Sequence, residues 1–216
     1  FYEPYGLKMT IMGNPALGRT ELGNGAAFRA DHGIGEFEPM LLVLPGSRPS
    51  EIANVAPTLI DAALKIREMR GDLKLVIAPA RSVLAQFNES FPSIESAALV
   101  ITDPADRLNA MSAATLALAC SGTVTSELAV QHTPFLVGYK TGWVTWALAR
   151  FFLYKPKHIT LLNIASDDTE VAPEFLQTRF NSDAMAANAL QLLSDEKART
   201  DQVRAQDLAI DRMRSS

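Results

Sequence analysis

The chain has 216 residues, 48% of them hydrophobic and 20% charged, with a net charge of −4. That length allows one large domain or two small ones, and the composition is that of a globular protein with a substantial core. The acidic balance offers no electrostatic footing for nucleic acid, and a single cysteine, Cys120, excludes a disulfide framework or a cysteine metal cluster.

The first residue is Phe1, and the opening reads like the middle of a domain, which suggests a fragment or a processed chain. It shows no charged-then-apolar leader. FYEPYGLKMTIMG predicts a turn at Pro4 to Gly6 and a strand through Met9, Ile11 and Met12, broken at Asn14-Pro15. Residues 14–38 are glycine-rich and read as a linker, with one helical turn near Ala26 to His32. This divides the chain into a crossover with a first strand (1–37), a main domain (38–194) and a terminal helix (195–216).

MLLVL, ending at Leu44, is apolar without alternation, the pattern of a strand covered on both faces in a parallel sheet. After Pro45-Gly46-Ser47-Arg48 a helix is predicted through Arg70, on the spacing of Ile52, Val55, Leu59, Ala63 and Ile66. Strands follow at Leu73 to Ala78 and Ala97 to Ile101, with a helix from Ala80 to Glu89 between them. Asp103-Pro104 opens a short helix, proline being tolerated in the first turn. Leu116 to Ala119 is a fourth strand, Thr123 to Gln131 a helix, Pro134 to Gly138 a fifth strand and Thr141 to Tyr154 an apolar helix. Ile159 to Leu162 reads as a last strand. Pro173 to Thr178, Asp183 to Leu193 and Asp195 to about Met213 read as helices, with Ser182 and Asp183 as candidate N-caps. Five or six such strands alternating with helices define a Rossmann-like α/β fold, an open parallel sheet with helices on both faces.

Ligands of such sheets bind beyond the carboxyl ends of the strands, at the switch in strand order. Pro45 to Arg48, Pro79 to Arg81, Asp103-Pro104, Ser121 to Thr123 and Gly138 to Lys140 all fall on that edge. In LALACSGTVTSE a buried strand feeds a helix start, where free amides suit an anion. Ser121 or Thr123 is placed to cap those amides, and Gly122 lets a ligand approach the backbone. Glu127, one turn on from Thr123, would repel phosphate but accept hydrogen bonds from sugar hydroxyls. Arg48 offers a planar fork for phosphate oxygens, and Gly46 a tight turn. Lys140 is placed to neutralise phosphate, Tyr139 to pack on a ring and Asn163 to fix a polar ligand edge. The plainer alternatives are an ordinary strand–helix junction, surface charges and a loop-stabilising amide. His32, His132 and His158 are scattered without metal-ligand spacing, so no metal is expected. The stripe Trp143, Trp146, Phe151, Phe152 and Leu153 suits a core, or a membrane surface given Arg150, Lys155 and Lys157.

The motifs PGSRPSEI, ACSGTVTSELAV, PFLVGYK and LLNIASDDTEVAPEFLQ, in this order, resemble the carboxyl-terminal half of bacterial lipid-A-disaccharide synthase. FYEPYGLKMTIMGNP is similar to that family's crossover, although Gly13-Asn14-Pro15 stands where the family usually has Gly-His-Pro. After Asn163 the family usually continues Leu-Leu-Ala-Gly, here Ile164-Ala165-Ser166-Asp167-Asp168. The resemblance implies the donor half of a two-domain GT-B glycosyltransferase, inverting, independent of metal and without a cofactor. The implied donor is UDP-diacylglucosamine and the acceptor lipid X, giving lipid A disaccharide phosphate and UDP. It places Gly46, Ser47 and Arg48 at the diphosphate, with Arg48 stabilising the leaving group. It gives helix amides at Ser121, Gly122 and Thr123, and ribose hydroxyls at Glu127. Lys140 and Asn163 would line the donor pocket, supported by Glu174 and Gln177. The acceptor site and general base would lie in an amino-terminal half outside these residues, so this piece alone would bind UDP weakly and not catalyse transfer. Such a protein works in the cytoplasm, on the cytoplasmic face of the inner membrane if it makes peripheral contact. The terminal helix would be mobile or dock on another copy, which allows a homo-oligomer. Other readings are a different UDP-sugar GT-B enzyme, of the epimerase or peptidoglycan-transferase type, and a non-catalytic nucleotide-binding domain.

Overall fold

The structure is a computed structural model, and it describes residues 21–140, 159–166 and 170–215. The expected strand at Met9 to Met12, the Asn14 position and the apolar helix Thr141 to Tyr154 lie outside the described residues.

Six strands form one parallel sheet in the order β3-β2-β1-β4-β5-β6. They are β1 (Met40–Leu44), β2 (Lys74–Ile77), β3 (Leu99–Val100), β4 (Leu116–Cys120), β5 (Phe135–Tyr139) and β6 (Glu174–Leu176). The central pair is β1 with β4, in register from Leu41↔Leu116 to Leu44↔Ala119. Every residue of both strands is buried. Their unbroken apolar runs therefore have the cause expected of them, helices on both faces.

Alternation still sorts the side chains between two cores. Leu41, Val43, Leu116, Leu118 and Cys120 face α2 (Pro49–Asn54), α3 (Ala56–Met69), α4 (Leu84–Ser90) and α8 (Ser182–Ser194). Met40, Leu42, Leu44, Ala117 and Ala119 face α1 (Gly25–Asp31), α5 (Pro104–Ala113), α6 (Val124–Val130), α7 (Leu161–Ala165) and α9 (Glu196–Ser215). The helix expected after Arg48 and through Arg70 is two, separated at Val55, with Pro57 in the first turn of the second. Proline there removes an amide that the preceding helix would have used.

Several expectations are corrected. Residues 21–38 are no slack linker. Phe28 of α1 is buried, and the Arg29 guanidinium donates to the carbonyls of Ala113, Gly35 and Glu38, which pins α1 to α5 and to the approach to β1. Ile159 to Leu162 is not a strand. Thr160 caps α7 by accepting from the Asn163 amide, a local bond that the apolar residues Ile159, Leu161 and Leu162 around it did not reveal. The sixth strand is instead Glu174–Leu176, within the stretch read as helix, and it pairs Val137↔Glu174 through Tyr139↔Leu176. A three-residue strand is too short to display a period. The cap of α8 is Asn181, whose side chain accepts from the Ala184 amide, rather than Ser182 or Asp183. Helix α9 packs back on this domain: Ala209 and Ile210 are buried, and Gln202 donates to the Phe135 carbonyl. No helix among the described residues is long and apolar enough to cross a membrane.

Gly138 shows how tightly β5 meets the α3/α8 layer. A Cβ there would lie 2.2 Å from Phe180 Cε2 and 3.0 Å from Leu59 Cδ2. Gly138→Ala should overpack this layer and lower stability by about 1–3 kcal/mol, measured as a lower urea midpoint. An unchanged midpoint would show that Phe180 moves aside freely.

Candidate functional site

Connections leave β1 and β4 in opposite directions, to β2 on one side and to β5 on the other. Among the described residues no crossover helix covers the gap above their carboxyl ends, and a ligand crevice is expected there. A hollow of about 160 Å³ lies at that place. Its walls include Gly46, Ser47, Arg48 and Glu51 from the β1 side, Ser121, Gly122, Thr123 and Glu127 from the β4 side, and Arg107 from α5. The two loops singled out in the sequence thus face one shared space.

The β1 side is organised by a carboxylate. Glu51, in the first turn of α2, is buried, and its Oε2 accepts from the Ser47 amide at 2.7 Å and the Arg48 amide at 3.1 Å. Its Oε1 accepts from Arg48 Nη1 at 3.0 Å. These charge-assisted bonds replace the solvation the carboxylate lost. Gly46 is required by the same contact. It sits at φ +124°, and a Cβ would stand 2.6 Å from Glu51 Cβ. The loop is braced from behind, where Ser82 Oγ donates to the Ser47 carbonyl and Gln86 to the Pro49 carbonyl. Because Glu51 uses the backbone amides, what this wall offers a ligand is the Arg48 side chain, 72% exposed, together with the Ser47 side chain.

On the β4 side Thr123 is the N-cap of α6, but no side chain caps the helix, so neither Ser121 nor Thr123 consumes its amides. The Thr125 hydroxyl donates to the Gly122 carbonyl instead, which fixes the turn. A Cβ on Gly122 would meet nothing within 4 Å. The chain's own packing does not demand glycine there, and the backbone is open to whatever enters the hollow.

Two acids and two guanidiniums line the space, so its formal charge is balanced. Arg48 pairs with Glu51 at 3.0 Å and Arg107 with Glu127 at 3.5 Å. The guanidinium end of the Arg48–Glu51 pair is exposed and held by one bond, so an incoming anion can recruit Arg48 while the backbone amides still hold Glu51.

The other expected residues stand elsewhere. Asn163 is fully buried. Its Nδ2 donates to the Ala172 carbonyl and to Glu174, and its Oδ1 accepts from the Val171 and Ala172 amides. Glu174 also accepts from the Ile159 and Thr160 amides and the Thr160 hydroxyl. These bonds tie α7 to the start of β6, so both side chains build the frame rather than the wall of the hollow. Gln177 adopts φ +51° at the turn after β6, and exposed Lys140 follows β5; neither is among the lining residues.

Sequence reasoning missed Glu51 and Arg107. An acid at the third residue of a helix is a recognised N-terminal signal and marks Glu51. Arg107, in the polar run DPADRLNAM, carries no such mark. Cys120, expected as buried packing, is buried and also touches the hollow. Burial, reinforced by the Glu51 charge and only partly offset by Arg48, pushes its thiol up to about 12.

A six-stranded parallel sheet with its crevice at the central switch defines a Rossmann-like α/β domain. Solved structures agree on the fold. They include WaaG, a glycosyltransferase involved in lipopolysaccharide biosynthesis (TM-score 0.56, 14% identity, covering 87% of this chain and 46% of that one). Another is S. aureus MnaA with UDP (TM-score 0.56, 17% identity, covering 90% and 48%). The chain belongs to the lipid-A-disaccharide synthetase family, whose model matches residues 1–216. The lipid-A-disaccharide synthase of Paramagnetospirillum magneticum is 34% identical over 215 residues, 99% of this chain and 55% of that protein. The chain thus spans about half the length of the curated relatives it matches.

A buried, neutral Cys120 should react slowly. Alkylation at pH 8 is expected to run more than about a hundredfold slower in the folded protein than in urea, because only the thiolate attacks. Equal rates, followed by mass spectrometry, would contradict that burial.

Proposed function

We propose that this chain is the donor-binding half of a lipid-A-disaccharide synthase. The complete enzyme would transfer diacylglucosamine from UDP-diacylglucosamine to lipid X, giving lipid A disaccharide phosphate and UDP. The observation that carries the reading is the single hollow at the sheet's switch point, shared by Arg48, Ser121 to Thr123 and Glu127. Family membership supports the choice of substrates, and a UDP complex of a protein sharing the fold supports the nucleotide.

In this reading the diphosphate lies between the Arg48 side chain and the uncapped start of α6, with the ribose toward Glu127. The acceptor hydroxyl forms its bond to the anomeric carbon as the bond to UDP breaks, with inversion. Negative charge grows on the departing diphosphate, and preorganised donors stabilise it more strongly than they do the ground state. Arg48 is suited to that task because its fork can take two phosphate oxygens. No metal enters this scheme. The proton of the acceptor goes to a base in the portion that this chain does not span, so the 216-residue chain binds donor without turning it over. Lys140, Asn163, Glu174 and Gln177 serve the donor from outside the hollow, the middle two by holding the β6 frame. A peripheral membrane location would follow from lipid substrates.

Calorimetry of the chain with UDP should show binding that EDTA does not alter. Arg48→Ala should weaken it about ten- to a hundredfold, the loss of one or two hydrogen bonds to a charged group. No heat with UDP at millimolar concentration, or disaccharide formation by the chain alone, would overturn the reading.

A further inference from the structure

We infer that Arg107 and Glu127 form a two-sided clamp that reads a hydroxyl group of the bound nucleotide's ribose, with Arg107 as a specificity-determining residue. The inference rests on the nucleotide-binding reading above and adds a residue to it.

The two ion pairs in the hollow differ in completeness. Arg48 and Glu51 are joined at 3.0 Å, and both Glu51 oxygens are engaged. Arg107 Nη1 stands 3.5 Å from Glu127 Oε2, well beyond the 2.7–2.9 Å of a good charge-assisted bond. Arg107 Nε and Glu127 Oε2 are enclosed, and neither has a hydrogen-bond partner among the described residues. Enclosed polar atoms without partners are costly and call for an explanation. Both residues line the hollow, and each comes from the first turns of a helix that follows a strand carboxyl end, α5 after β3 and α6 after β4.

The donor set states what would complete it. Phosphate suits Arg107 but is repelled by Glu127, and a cation suits Glu127 but is repelled by Arg107. A neutral group that donates and accepts at once satisfies both, and a hydroxyl does so with a single atom. It donates to the Glu127 carboxylate and accepts from the guanidinium. In a nucleoside diphosphate whose phosphates face Arg48, the neighbouring hydroxyl-bearing group is the ribose.

The test compares UDP with 2′-deoxy-UDP and 3′-deoxy-UDP by calorimetry on the 216-residue chain, wild type against Arg107→Met and Arg107→Lys. Arg107→Lys keeps the charge beside Glu127 and removes Nε, and it guards against a methionine variant that fails to fold. In both variants UDP should bind about tenfold more weakly. At least one deoxy analogue should change by less than about threefold, because its missing hydroxyl is the one Arg107 contacts. Equal weakening of all three ligands would show that the pair only joins α5 to α6, and no change in any would show that Arg107 does not meet the ligand; either overturns the inference alone. Failure of the wild type to bind UDP would overturn the inference together with the nucleotide reading.

Discussion

The reversal of strand order between β1 and β4 is the constraint on which the rest depends. Two parallel strands lie side by side, and their following connections depart to opposite sides, so the backbone above their carboxyl ends cannot be covered by either crossover. The hollow lies at that opening, lined by the loops after β1 and β4, by Ala78 and Ala80 after β2 and by Arg107 of α5. Burial of both strands on both faces makes the opening rigid, because a slip in the register of β1 against β4 would exchange the two cores.

Charge inside the hollow follows a second rule: each acid is tied to a guanidinium, but not to the same degree. Glu51 is locked by two amides, and the loop from Gly46 to Arg48 takes its shape from that lock. Arg48 is held at one end only and is mostly exposed, so it is the charge of the site most open to a ligand. Glu127 and Arg107 approach without closing. A locked carboxylate, an exposed guanidinium and an open pair give three neighbouring surfaces of different chemistry. A diphosphate followed by a sugar presents a matching sequence of groups. The residues around Asn163 and Glu174 solve a separate problem. They satisfy the backbone where a very short strand is added to the sheet edge.

Much of the fold was legible because strands covered on both faces leave continuous apolar runs, and MLLVL, LALAC and FLVGY are such runs. The loops after β1 and β4 were legible as site candidates because glycine, serine and arginine follow those runs directly. Arg107 was not, since a charged residue one turn into a helix looks the same in sequence whether it meets solvent or a hollow. Glu51 was half legible: its position in the helix announces a backbone bond, while its burial does not show. The edge between Ile159 and Leu176 reads differently in sequence because such short elements are decided by side chain-to-backbone bonds, here those of Thr160, Asn163 and Glu174, rather than by a period.

Local pattern alone determined that this chain builds a parallel sheet between two helical layers, and that candidate ligand loops follow the strands read to Leu44 and Ala119. Those facts are written in runs of neighbouring residues, where burial and turn chemistry leave a periodic trace. Only the tertiary structure decided that Arg107 faces Glu127, that Glu51 occupies the Ser47 and Arg48 amides, and that Asn163 and Glu174 brace the start of β6. Such pairings depend on which helix starts converge in space, and a distance across a hollow leaves no mark on the order of residues along a chain.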